Sequence, residues 1–245
     1  MADYDHIAAE YKASKALPFR THIEAHTLFT LLGDVHDLHV LDLACGEGIY
    51  TRQVKRLGAA EAVGVDLSSA MIALAEHEEA LHPLGCSYRT HDARTLGSIG
   101  TFDVVLGAYL LNYASTYADL LAFCRTIYAN LRPGGRFVGF NDNVANSPSR
   151  YATYRPYGFV KSSPPDREAG APITYTLFNA DGTVFDLVNY YLPPEQYAAA
   201  FREVGFSDFQ WKGPWLSEMG ASSFPNGYWD AFLDDPPVIG LQAIR

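Results

Sequence analysis

The sequence is poor in cysteine and in basic residues, and it has no long apolar run. Its three cysteines, Cys45, Cys86 and Cys124, are widely spaced and form no C-x-x-C pair. Such spacing argues against a disulfide framework or a thiolate zinc site, and a reducing cytoplasm is the compartment it fits. Lys and Arg number 18 against 28 Asp and Glu, a formal charge of −10 with no basic cluster. This balance points away from nucleic acid and anionic membrane as partners. The longest apolar stretch, near residues 104–111, falls short of the roughly 18 residues that a membrane span needs. The opening Met-Ala-Asp-Tyr-Asp-His is acidic and polar, unlike a signal peptide. His22 and His26 lie four apart, but no H-E-x-x-H pattern accompanies them, so no metal is expected.

What is present in quantity is apolar and aromatic side chain: 48% of the 245 residues are hydrophobic, and sixteen are tyrosine. That content can bury one large α/β core, which excludes intrinsic disorder. Short apolar runs at 40–44, 62–66, 87–90, 102–107 and 136–141 alternate with helical patterns near 50–57, around Met71, and at 117–131. Continuous apolar strands separated by helices imply a parallel sheet covered on both faces, and right-handed crossovers make it doubly wound. The first 33 residues read as a helical arm in two pieces, parted near Pro18. Residues 143–172, rich in Pro, Ser, Tyr and Gly, read as an irregular insert. Runs at 173–178 and 183–191 flank Asn179-Ala-Asp-Gly182, a hairpin turn. A helix at 194–204 and strands at 206–212 and 238–244 complete the chain. The expected fold is one domain, 1–245: a doubly wound, mostly parallel seven-stranded sheet, with a helical arm (1–33) and a cap (143–192) after the fifth strand.

Ligands of such sheets sit beyond the carboxyl ends of the strands, where strand order switches. Gly46, Asp66, Asp92, Tyr109 and Asn141 all fall just past expected strand ends and should share one crevice. The turn Asp42-Leu-Ala-Cys-Gly46-Glu-Gly48 suits close backbone approach to a ligand. Asp66, placed after the second strand, suits two ribose hydroxyls. Gly46-x-Gly48-x-x-Thr51 lacks the third glycine of a dinucleotide fingerprint. In order along the chain come Asp42-x-x-x-Gly46-x-Gly48, Gly64-Val-Asp66-Leu-Ser68, Met71-Ile, His91-Asp92-Ala93, Phe102-Asp-Val-Val105 and Leu131-Arg-Pro-Gly-Gly135. This ordered set resembles the class I S-adenosylmethionine-dependent methyltransferases over residues 36–142. The resemblance implies S-adenosyl-L-methionine as cofactor. Ala44, Gly46 and Gly48 would then shape the turn under its methionine part, and Asp42 would brace that loop or reach the amino group. Asp66, with Leu67 beside it, would hold the ribose. Met71 would lie against the adenine or pack in the core, Asp92 and Ala93 would read the adenine edge, and Ala108 would offer its carbonyl to the ammonium. Tyr4-Asp5-x-Ile7-Ala8-x-x-Tyr11 and Arg20 resemble the arm that folds over the cofactor in small-molecule members, with Arg20 on the methionine carboxylate.

Methyl transfer needs alignment and desolvation more than acid–base chemistry. No His/Asp dyad is in evidence, and His91, adjoining Asp92, should point away from the crevice by strand alternation. Residues expected to face the acceptor are Tyr4, Tyr109, Asn141 and, from the cap, Tyr175, with Asn112 and Tyr190 as further candidates. The aromatic density of the cap suits a flat acceptor and a sulfonium. Tyr109-x-x-Asn112-Tyr113-Ala114 and Pro225-x-Gly227-x-Trp229-Asp230 are similar to the toxoflavin-biosynthesis type of N-methyltransferase. The expected partner is therefore a small, planar metabolite, methylated on nitrogen or oxygen; no oligomer signal is evident. The alternative on the same site is cyclisation of S-adenosylmethionine itself to azetidine-2-carboxylate, releasing methylthioadenosine.

Overall fold

The computed structural model describes residues 8–245. Helix α1 (Ala8–Ser14) leads through a π-helical turn, Arg20–Ala25, directly into α2 (His26–Leu32). Strand and helix then alternate: β1 (His39–Leu43), α3 (Ile49–Arg56), β2 (Glu61–Asp66), α4 (Ser69–Leu81), β3 (Ser87–Thr90), β4 (Phe102–Ala108), α5 (Tyr117–Asn130) and β5 (Leu131–Asp142). An insert carries β6 (Phe159–Ser162), β7 (Pro172–Phe178) and β8 (Val184–Tyr190). The chain then returns through α6 (Pro194–Val204), β9 (Asp208–Lys212), α7 (Glu218–Ser223), α8 (Asp230–Asp234) and β10 (Val238–Ile244).

The main sheet has seven strands in the order β3-β2-β1-β4-β5-β10-β9, and the insert forms a separate three-stranded sheet. Neighbours from β3 to β5 pair in parallel, whereas β10 runs antiparallel to both β5 and β9. The expected doubly wound, mostly parallel seven-stranded sheet is the observed one. Strands β1, β2 and β4 are buried along nearly their whole length because helices cover both faces. Along β4 the faces alternate. Val104 and Leu106 join a core with α2, α3 and the insert aromatics, while Val105 joins one with α5 and α6. The strand order reverses between β1 and β4, and a ligand crevice opens there.

One expectation fails in the insert. Residues 143–172 are not irregular throughout: Pro148–Tyr157 is a 3-10 helix, followed by β6. A 3-10 helix has about three residues per turn, so every third side chain shares a face. Tyr151, Tyr154 and Tyr157 are spaced so, and all three are buried. Tyr157 stacks on Trp229 at 5.5 Å between ring centroids, and Tyr154 stacks on Phe159 at 5.6 Å. Three of the sixteen tyrosines thus serve packing within the insert and between it and the C-terminal segment. Among the described residues no helix is long and apolar enough to cross a membrane.

Candidate functional site

A cavity of about 940 Å³, counting its open mouth, lies beyond the carboxyl ends of β1, β2 and β4. Two non-glycine residues there have left-handed backbone, Ala44 after β1 (φ 60°) and Tyr109 after β4 (φ 62°). Each such residue costs about 1–3 kcal/mol, which the surrounding structure must hold in place. Both line the cavity, together with Tyr11, Gly46, Asp66, Leu67, Met71, Asp92, Ala93 and Ala108. Ten of the positions named from sequence therefore meet at one place.

Asp66 holds the turn and faces the cavity at once. Its Oδ2 accepts from the Gly46 amide at 2.8 Å and its Oδ1 from the Ser68 amide at 2.8 Å. Both carboxylate oxygens are thus tied to the loops that follow β1 and β2, which fixes the side chain at the cavity wall. Ser68, not Asp66, is the N-cap of α4 and accepts from Met71 N at 3.2 Å. Asp92 is gripped by Arg94 at 2.7 Å, and that hydrogen-bonded guanidinium holds its carboxyl below the usual value against partial burial. Arg94 lines the cavity too and was not foreseen. His91 also lines it, contrary to the expectation from alternation. β3 ends at Thr90, so the rule that neighbours face opposite ways no longer applies at His91.

Two turn residues lie behind the cavity wall. Gly48 does not line it; its φ of 78° and a built Cβ only 2.6 Å from the Tyr88 hydroxyl explain the need for glycine. Asp42 braces the loop, accepting from Thr51 Oγ1 of α3 at 2.6 Å. Its other oxygen is buried without a partner among the described residues, and burial pushes the carboxyl up to about 7 despite the Thr51 bond. The folded state thus favours the protonated form, so the destabilisation sets in above the unfolded value and is complete near pH 7. Asp42→Asn is expected to match the parent near pH 4 and to exceed it by about 2–4 kcal/mol above pH 7. Denaturant unfolding across that pH range checks this; a constant difference would exclude the buried carboxyl as its source.

Beside the cavity sits a buried carboxylate that sequence reasoning missed. Glu24, fully buried, accepts from Arg20 at 2.7 Å, from the Tyr50 hydroxyl at 2.5 Å and from the Tyr109 hydroxyl at 2.7 Å. Lys15 adds a second cation at 3.8 Å. Burial opposes ionisation, but Arg20, Lys15 and the two phenols outweigh it and hold the Glu24 carboxyl below its ordinary value. Arg20 and Glu24 lie four residues apart, which was the one available signal. The Arg20 guanidinium stacks over Tyr109 at 5.3 Å and Tyr11 at 5.7 Å, and its Nε has no partner among the described residues.

Arg20 lines a second compartment, a narrow cleft of about 360 Å³ counting its open mouth but closely packed within, that shares Tyr11, Tyr109 and Tyr113 with the first. Its remaining wall is Phe19, Tyr175, Leu177, Leu187 and Asn189. Behind Tyr175 lies a dry ion pair, Lys161 Nζ to Asp142 Oδ1 at 2.7 Å, with both side chains at 0% exposure. The Tyr175 hydroxyl donates to the same Asp142 oxygen and to the Pro237 carbonyl. Burial pushes the Lys161 ammonium down against the pull of Asp142. Asn141, expected to face the acceptor, lines neither compartment. It falls on the β5 face of Phe137, which packs on Phe201 of α6, and its Oδ1 accepts from Asn112 N at 3.0 Å. Asp142 takes the opposite face, with Phe140. Tyr4 lies outside the described residues.

Residues 40–135 match the methyltransferase domain family. An N-demethylindolmycin N-methyltransferase from Streptomyces griseus is 28% identical over 69% of this chain and 69% of its own. A ubiquinone biosynthesis O-methyltransferase from Parvibaculum lavamentivorans is 39% identical over 40% of this chain, which spans only 38% of that relative. A solved S-adenosylmethionine-dependent methyltransferase from Mesorhizobium loti superposes with a TM-score of 0.66 over 95% of this chain and 100% of that one, at 20% identity. That degree of likeness establishes the fold. The switch-point cavity, the strand order and the matched segment agree: residues 40–135 carry a methyltransferase domain, and the chain has the fold of that solved structure.

Proposed function

We propose that the protein transfers the methyl group of S-adenosylmethionine to a nitrogen or oxygen of a small, planar metabolite. The observation that carries this reading is the switch-point cavity, where Asp66, Asp92 and Arg94 stand in a mainly apolar wall, joined to a narrow cleft walled by aromatic rings. The residues fit the cofactor. Asp66, held at the cavity wall by its loop, faces the place of the ribose hydroxyls, Met71 and Leu67 offer apolar surface to the adenine, and Asp92 and the Ala93 amide stand at its edge. Ala44 and Gly46 leave room at the turn; a Cβ built on Gly46 meets nothing within 4 Å. Arg20, held by Glu24, keeps an Nε–H for the methionine carboxylate. The name of the Streptomyces relative, an N-methyltransferase, supports a small acceptor.

S-adenosylmethionine supplies a methyl group on a sulfonium, whose carbon–sulfur bond breaks with its electron pair left on sulfur as the acceptor lone pair bonds to carbon. The chain's own contribution is alignment, dryness and cation–π contact. Tyr109 and Tyr175 serve as fixed walls and not as proton acceptors. Burial, reinforced by the neighbouring carboxylates, keeps both phenols protonated, and both hydroxyls donate to those carboxylates. Neither phenol takes up a proton, so an acceptor against this wall reacts through a lone pair that is already free at working pH.

Asp66→Ala is expected to weaken S-adenosylhomocysteine binding at least tenfold, the loss of about 1.5–3 kcal/mol in hydrogen bonds to a charged group. Unchanged affinity by calorimetry would refute the ribose assignment. Incubation with S-adenosylmethionine alone tests the reaction: adenosylhomocysteine should form only when an acceptor is added. Methylthioadenosine released without one would overturn transfer in favour of cyclisation.

A further inference from the structure

Asn189, on β8 of the insert, was singled out by nothing in the sequence. It is 5% exposed, and its side chain borders the aromatic compartment. Its Oδ1 accepts from Asn112 Nδ2 at 2.8 Å. Asn112 follows the strained Tyr109 turn, and its backbone N–H is itself held by Asn141 Oδ1 at 3.0 Å. The chain Asn141–Asn112–Asn189 thus runs from the end of β5 through the β4 turn to the insert. It fixes the rotation of the Asn189 amide. With Oδ1 engaged, the NH2 group is the free end, and no described residue accepts from it. Turning Asn189 over alone would set its NH2 against that of Asn112, and turning both would exchange one unpaired Asn112 carbonyl for an NH2 with two unpaired donors.

A buried amide that shows only donors asks its ligand for an acceptor atom. The rest of the wall is aromatic or aliphatic apart from Arg20. Resting on the transfer reading above, we propose that Asn189 is a specificity-determining residue. Its NH2 donates to a ring carbonyl, or to the oxygen of its ionised form, on a planar heterocyclic acceptor. Such an acceptor needs no base from the protonated Tyr109 and Tyr175. A ring N–H beside a carbonyl gives up its proton to solvent on ionising, and the charge then shared by nitrogen and oxygen is met by the Asn189 donor. Asn141 becomes a positioning residue, two hydrogen bonds removed from the acceptor.

Quinazolin-4-one, a bicyclic probe with an N–H beside a carbonyl, and quinazoline, which lacks the oxygen, separate the possibilities. Binding is measured by ligand-observed NMR with S-adenosylhomocysteine saturating, after calorimetry has given the adenosylhomocysteine affinity of each variant. Quinazolin-4-one is expected to bind the parent at least tenfold more tightly than quinazoline does. Asn189→Leu and the isosteric Asn189→Asp should each weaken it about tenfold while leaving adenosylhomocysteine affinity within twofold. Asn189→Asp keeps the bond from Asn112, so a folding defect in the leucine variant does not spoil the test. Equal affinity across parent and variants, or no binding of the quinazolinone to the adenosylhomocysteine complex, overturns the proposal and leaves the cofactor reading standing. Failure of adenosylhomocysteine itself to bind the parent overturns both.

Discussion

Lys161→Met should destabilise the protein by about 3–5 kcal/mol, the usual consequence of removing one partner from a dry ion pair. Asp142 would be left at 0% side-chain exposure with only the Tyr175 hydroxyl on its charge. Its second oxygen already lacks a partner among the described residues. Methionine fills a similar volume, so the loss is electrostatic and not a cavity effect. For a domain of this size the thermal midpoint should fall by roughly 6–20 °C. A double variant identifies the cause. Asp142→Asn added to Lys161→Met should recover most of the stability, because the asparagine oxygen still accepts from Tyr175. If the double variant is as weak as the single one, the pair matters through shape alone. The pair also joins the end of β5 to β6, and Lys161 reaches Asn146 Oδ1 at 3.0 Å. Its loss is therefore expected to loosen the insert from the main sheet, on the side that carries Tyr175 and Asn189.

The elements that place the crevice were readable because each follows from local sequence. Parallel strands buried on both faces appear as unbroken apolar runs, and Gly46 and Asp66 fall at fixed distances from them. The β5 end was misread although alternation carried the answer. Val138 and Phe140 share one core and Phe137 belongs to the other, so position 142, not 141, must face the insert. The three tyrosines of the 3-10 helix were counted as aromatic density without their period of three. Glu24 and Asn189 were not legible in the same way. Glu24 looks like half of an ordinary i,i+4 surface pair until the π-helical turn rolls it inward against Tyr50 and Tyr109. Asn189 acquires meaning only from Asn112, 77 residues earlier. Polar groups that act through tertiary contacts leave little trace in a single sequence, whereas burial patterns leave much.

The Glu24 cluster sets the second large expectation. Glu24→Gln keeps the shape of the side chain but leaves the Arg20 guanidinium, 5% exposed, without its counter-charge. The cost should again be about 3–5 kcal/mol. The amide also accepts less well than a carboxylate, so Tyr50 and Tyr109 lose a charge-assisted partner, and the strained Tyr109 turn loses its anchor. Ligand linkage then separates a binding role for Arg20 from a packing one. If Arg20 meets the methionine carboxylate, adenosylhomocysteine supplies the missing negative charge. Its saturating addition should then raise the melting temperature of Glu24→Gln by more than it raises that of the parent. Adenosine, which lacks the carboxylate, should give no such excess. Arg20→Met combined with Glu24→Gln should restore unliganded stability and abolish the excess, with adenosylhomocysteine affinity falling at least tenfold through the lost charged hydrogen bond. Equal shifts in parent and variant would instead make Arg20 and Glu24 a packing pair, and the carboxylate would have to be held from Tyr11 and the backbone alone.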